Sequence, residues 1–228
     1  MACSRFGCWA VLRRGKFLNE IRRKLLPSDY FIVLNMVLFL GMCWAVYYDR
    51  LVAYRGVGNL HEFFLYACAI ILAIFVVWWY LRRLPFPTWL LFIVQIGILM
   101  HFAGAFFPIE GGRLYDAHFL GLRFDKYVHG FNAFAGAALT RHLLKATHSR
   151  SPLMSVIVVM AVLGAGSVVE IVEYLVSLTV EHNGVGSYDN NMQDLISNLV
   201  GAMIFEVGHR MVPRPAHLAP AGTAVAAE

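Results

Sequence analysis

Asp125, Lys126 and His129 open the stretch FDKYVHGFNAFAGAAL, residues 124–139, which then turns to small apolar residues. In a helix, Asp125 and His129 lie four residues apart and Asn132 three further, so all three share a face. In VVEIVEYL, Glu170 and Glu173 sit one turn apart. In NNMQDLISNLVGA, Asn191, Asp194, Asn198 and Gly201 follow a three-four-three spacing along one face. Carboxylates with one imidazole and amides suit a divalent cation with oxygen ligands, such as Mg²⁺, Mn²⁺ or Ca²⁺. Asp125, His129, Glu170 and Asp194 are its expected ligands. Neighbouring carboxylates also divide acid and base roles between them. Asp125, His129, Glu170, Glu173 and Asp194 are therefore the candidate catalytic groups. Arg123 and Lys126 at the rim suit a phosphate, and Asn132 and Asn198 complete the expected substrate contacts. The chemistry is hydrolysis or transfer at a lipid-linked phosphate or head group. No HExxH zinc motif occurs, because His61-Glu62 lacks the second histidine. No Gly-rich phosphate loop stands out.

The elements that must position these groups are membrane helices. The chain has 228 residues, of which 59% are hydrophobic and 14% charged, against about 25% charged in a soluble domain. ILAIFVVWWYL and WLLFIVQIGILM each lie within a stretch long enough for a bilayer, which needs ~20 apolar residues. The fold expected is all-α, a polytopic membrane helix bundle with about six spans. They are placed at Tyr30–Tyr48, Glu62–Leu81, Phe86–Pro108, Lys126–Leu144, Pro152–Leu178 and Asn191–Met211. Residues 1–29 form a basic tail with a short interfacial helix through Leu18, Ile21 and Leu25. Residues 30–212 form the membrane domain, and the Pro/Ala-rich residues 213–228 a disordered tail.

Fourteen of the 19 Lys and Arg residues fall on one side of these spans. The positive-inside rule then puts both termini in the cytoplasm of a cell with an inner membrane. The candidate groups of spans four, five and six come to a common depth in the outer leaflet. Arg141 and His142 read as cytoplasmic anchors, and Trp44, Trp78, Trp79 and Trp89 as an aromatic belt. Gln95 and His101 lie inside span three and read first as packing residues. Glu206 is expected to pair with His209 or Arg210, outside the site. The basic tail suits anionic lipid and not nucleic acid, since aromatic interleaving is sparse. The four cysteines have no zinc or disulfide spacing.

Two other readings of the polar groups compete with an enzyme. One is a structural clamp, in which Lys126 pairs with Glu173 and His129 with Asp194. The other is a proton- or ion-coupled transporter, which favours repeated halves and polar groups through the whole depth. No repeat is visible.

FDKYVHGF, then EIVEY, then YDNNMQDLISNLVGA resembles the YjdF-type family of multi-pass inner-membrane proteins and, more distantly, the VanZ-like proteins. The resemblance covers about residues 120–205. It implies a site at Asp125, Lys126, His129, Glu170, Glu173, Asp194, Asn198 and Gly201. It implies no defined reaction, and only a link to the cell envelope.

Overall fold

The computed structural model describes residues 25–45, 48–49, 52, 60–82, 84–110, 112–179 and 187–212. The interfacial helix expected before residue 25 and the tail expected beyond residue 212 lie outside them, as do Cys3 and Cys8. The chain divides into two compact units, Met1–Leu114 and Tyr115–Glu228.

The first unit contains α1 (Pro27–Ala45), α2 (Leu60–Leu81) and α3 (Thr88–Phe106). A two-residue hairpin of β1 (Pro108–Ile109) with β2 (Gly112–Arg113) follows. Phe39 and Cys43 of α1 meet Phe102 of α3, with Phe64 and Ile71 of α2 against them. The Phe39 and Phe102 rings stack 4.5 Å apart. Ile32, Trp78 and Leu91 form a second cluster. Between α1 and α3, the Asn35 side-chain amide donates to Gln95 Oε1 at 3.2 Å and to its carbonyl at 3.3 Å. Gln95 is thus a buried packing residue, as its position implies, and Asn35 is its partner. Interhelical hydrogen bonds of this kind contribute about 0.6–2 kcal/mol in membranes.

Trp78 departs from the expected aromatic belt. It is buried, and its indole Nε1 donates to Asp29 Oδ1 at 2.9 Å. Asp29 also accepts from Arg82 Nε at 2.9 Å, from Arg82 Nη2 at 2.5 Å and from the Leu26 amide at 2.7 Å. A buried carboxylate needs donors, and the indole supplies one that no lipid interface could. Trp44, Trp79 and Trp89 remain exposed.

The second unit carries the hairpin β3 (His118–Phe119) with β4 (Leu122–Arg123), then α4 (Phe124–Leu143), α5 (Pro152–Thr179) and α6 (Tyr188–Met211). The helix α4 packs most extensively on α6, and both touch α5. Their shared core is small: Ala133, Ala137, Val158, Val162 and Ala202. Small side chains let helix backbones approach, which is how membrane helices gain packing contacts without a hydrophobic drive between them. Gly201 is the extreme case. A Cβ built there would overlap the carbonyl of Gly130.

Among the described residues, α1 to α6 coincide with the six expected spans to within a few residues. Span six begins three residues early, at Tyr188. Ser187 caps it by accepting from the Asn190 amide at 3.4 Å, which draws the start back from Asn191. By length and apolarity, three stretches among the described residues suffice to cross a membrane: Ser28–Ala45, Thr88–Ala105 and Pro152–Leu175. The helix α2 holds a shorter apolar segment, Ile71–Leu81, while α4 and α6 carry the polar residues that lower theirs.

At the Leu143 end of α4, two expectations are corrected together. Arg141 is 1% exposed and faces protein, not lipid head groups. Its Nε and Nη2 donate to Glu206 Oε1 and Oε2 at 2.7 and 2.5 Å, so Arg141 is the direct partner of Glu206, and the expected His209 acts on it through charge. Arg141 Nη1 donates to the carbonyls of Ala146 and Ser149 at 2.9 and 2.8 Å, tying down the turn between α4 and α5. A planar fork can hold a carboxylate and two carbonyls at once, and a charge so placed gains more from partners than from a lipid surface.

Candidate functional site

The candidate groups lie where α4 begins, where α6 begins and along the later part of α5, all within the second unit. Lys126 on the first turn of α4 reaches across to α6. Its ammonium donates to Asp194 Oδ1 at 2.7 Å, to Asn190 Oδ1 at 2.9 Å and to the Asn190 carbonyl at 3.1 Å. Three donors thus meet three acceptors. Asn190 Nδ2 in turn donates to Asp194 Oδ2 at 2.8 Å, one turn along α6. Lys126 was expected at the rim and is found inside, 5% exposed. A lysine stem long enough to reach a carboxylate on the neighbouring helix lowers the cost of burying both charges.

Arg123 holds the rim alone. It caps the start of α4 in extended conformation. Its Nη2 donates to Asp116 Oδ1 at 2.9 Å and its Nη1 to Asn190 Oδ1 at 2.9 Å, with Asp125 Oδ2 at 3.3 Å. Its Nε is buried and meets no acceptor. Asp125 is buried too, with Oδ2 3.3 Å from Lys126 Nζ and Oδ1 without a donor.

Below this charged layer, one ligand atom from each of His129, Glu170 and Asp194 lies within 4.8 Å of the other two. Three of the four expected metal ligands are therefore together, and Asp125 stands outside the trio in the Arg123–Lys126 layer. His129 Nε2 is 3.4 Å from Asp194 Oδ1. The Asn198 side chain is within hydrogen-bonding reach of the imidazole. Asn198 is itself buried, and a Cβ at Gly166 of α5 would press on its amide. Glu170 is 7% exposed, and neither of its carboxylate oxygens has a hydrogen-bond partner. Glu173 is half-buried beside it and acts on it through charge.

The structure does not bring every candidate in. Asn132 shares the α4 face in sequence but is exposed. The clamp pairing of Lys126 with Glu173 is replaced by Lys126 with Asp194, while the expected approach of His129 to Asp194 is present at 3.4 Å. Sequence reasoning missed Asn190, which ties together Arg123, Lys126 and Asp194. The signal was present: Asn190 and Asp194 are four apart, hence neighbours on one helix face. Asp116, the partner of Arg123, lies in a connecting segment, where no periodicity marks it.

The charge balance favours a cation. Five carboxylates, Asp116, Asp125, Glu170, Glu173 and Asp194, surround two bases, Arg123 and Lys126. The imidazole and two carboxylates of the inner trio are also hard or borderline donors of the kind that Mn²⁺ and similar ions accept.

A family model described as "Predicted membrane protein (DUF2238)" matches residues 30–213. The chain belongs to that family. The match begins within α1 and runs past the end of α6, so it spans the helices of both units of this DUF2238 protein and includes every candidate site residue. The DUF2238 family is the YjdF type that the sequence resembles. No curated protein and no solved structure matches the chain.

Proposed function

We propose that this membrane protein binds a divalent cation at His129, Glu170 and Asp194 and uses it in hydrolysis or transfer at a phosphate-bearing, lipid-linked substrate. The observation that carries the reading is Glu170. A buried carboxylate without a donor costs several kcal/mol, and a helix clamp gives no reason for one. A cation beside His129 and Asp194 does. Ligand distances of ~2.0–2.6 Å need only small side-chain movements from the present spacing.

Such a cation would act as a Lewis acid on a phosphoryl oxygen and leave coordination positions for water and substrate. Arg123 suits the phosphate, because its guanidinium sits half-buried at the rim. Asp125 and Lys126 orient Arg123 and Asp194. Asn198 holds the His129 ring, the outer-sphere role that metal-bound histidines commonly have. Glu173, half-buried and acting on Glu170 through charge, suits the proton transfer. The same reading takes the chain as a multi-pass protein of the cytoplasmic membrane, with both termini inside and this site in the outer leaflet. Anionic lipid is the partner of the N-terminal basic tail.

A clamp remains the second reading, supported by the Lys126–Asp194 contact at 2.7 Å between α4 and α6. Metal analysis of detergent-purified protein separates the two. Wild type should retain about one divalent ion per chain, and His129→Ala and Glu170→Gln should lose it while staying folded. If the wild type takes up no Mn²⁺, Mg²⁺ or Ca²⁺, the cation reading is wrong and the clamp stands. Phosphate release from a lipid-linked substrate, dependent on Glu170 and Arg123, tests the reaction.

A further inference from the structure

At the end of the second unit away from His129, α5 and α6 leave a groove between them of about 410 Å³. Its walls are Val156, Val159 and Met160 from α5 and Met203 and Val207 from α6. Most of these side chains are exposed, so the groove is open along its length. From Met203 to Arg210 it runs seven residues, or ~10 Å at the helical rise, about a third of the ~30 Å hydrocarbon core. A second groove of about 480 Å³ begins at the same Met160 and continues between α5 and α6 toward Ser167, so the apolar path is not closed at its inner end.

The mouth of the groove is basic. Arg210 is exposed, and its Nε and Nη2 both donate to Ser155 Oγ, at 3.2 and 3.1 Å, which turns the guanidinium over the groove. Ser155 is its only acceptor among the described residues. Glu206, the one carboxylate lining the groove, is fully engaged by Arg141 at 2.5 and 2.7 Å. Among the described residues, Arg210 therefore has no carboxylate paired with it directly. Arg150 stands at the same end, donating to the Val212 carbonyl. The first turn of α5, at Pro152, points its positive dipole end here as well.

We propose that this groove binds one anionic phospholipid, its phosphate on Arg210 and one acyl chain along Val156, Met160, Met203 and Val207. The two halves of the ligand match the two halves of the groove: a guanidinium with no carboxylate partner among the described residues at the mouth, and an apolar trough ~10 Å long below it. A neutral lipid would leave Arg210 without a counter-ion, and a soluble anion would leave the trough unused. Anionic lipids are abundant in the cytoplasmic leaflet, the side to which the positive-inside count assigns this end. The site is independent of the His129 trio.

Native mass spectrometry of the full chain, released from nanodiscs of phosphatidylglycerol mixed with phosphatidylcholine, tests it. Wild type should retain one phosphatidylglycerol in preference to phosphatidylcholine. Arg210→Gln should weaken that retention roughly fivefold, the usual effect of one basic residue at an anionic surface. Met203→Trp fills the trough without touching charge and should lower retention of both lipids. Equal retention of the two lipids by wild type overturns the proposal, as does an Arg210→Gln variant that behaves as wild type. A photoreactive residue at position 207 should label lipid. Labelling of protein instead, whether a second copy or another part of this chain, also overturns it.

Discussion

Gly201 on α6 lies so close to the Gly130 carbonyl on α4 that a single added carbon at Gly201 would overlap it. Gly130 follows His129 directly, and Gly201 sits two turns beyond Asp194 on the same helix. This close backbone approach therefore lies beside the candidate site and sets how far apart its two main walls stand. Gly201→Ala should force α4 and α6 apart and cost about 1–3 kcal/mol, as overpacking does. Thermal unfolding in detergent measures it. Gly208→Ala, on the same helix with open space around it, is the control and should unfold as wild type does.

Lys126 and Asp194 share one hydrogen-bonded ion pair with both side chains 4% exposed. Removing the base alone strands the acid. Lys126→Met should destabilise by about 3–5 kcal/mol, seen as a lower midpoint of unfolding. Lys126→Met with Asp194→Asn should recover much of the loss, and the non-additivity of the cycle gives the coupling. Equal losses for the single and double variants would show that the pair does not hold the helices.

Glu170 is predicted to show the reverse pattern. Its carboxylate has no donor, so Glu170→Gln removes a buried charge without breaking a bond. The variant should be at least as stable as wild type when metal is absent, and should lose the stabilisation that added Mn²⁺ confers on wild type. Unfolding midpoints with and without Mn²⁺ give both answers. A Glu170→Gln variant that is less stable in the absence of metal would mean that the carboxylate has a structural partner.

Arg141 and Glu206 are predicted to hold the turn that joins α4 to α5. Arg141→Gln should cost about 3–5 kcal/mol by leaving Glu206 buried and unpaired. It should also free the Ala146 and Ser149 carbonyls, so that limited proteolysis cuts near residues 144–151 before any other site in the second unit. Leu143→Ala, at an exposed position at the end of α4, is the control and should leave the cleavage pattern unchanged.

The positions of the six helices among the described residues were legible in the sequence. Apolar runs of bilayer length leave the backbone no other way to satisfy its hydrogen bonds. The residues of the site were legible in part, because spacing of three and four places His129 near Asp125 and Asp194 near Asn198 on their own helices. Asn190 was equally available by that rule. Trp78, Arg141 and Lys126 were misjudged for a common reason: their side chains suit a membrane interface, and only a partner on another helix makes burial cheaper. Asp29 supplies it for Trp78, Glu206 for Arg141, and Asp194 for Lys126.

Periodicity along one chain fixes which residues share a face, and the length of each apolar run fixes where a helix lies in the chain. Neither says how far each helix is rotated or how close it stands to its neighbour. Those were decided by packing, with Gly201 against Gly130 bringing α4 and α6 together and small residues at Ala133, Ala137 and Ala202 filling the seam. At that separation a lysine spans the gap to Asp194, and His129, Asp194 and Glu170 converge while Asp125 does not. Interactions between ionised groups change steeply over a few ångströms in a low dielectric, so the identity of each partner belongs to the tertiary structure.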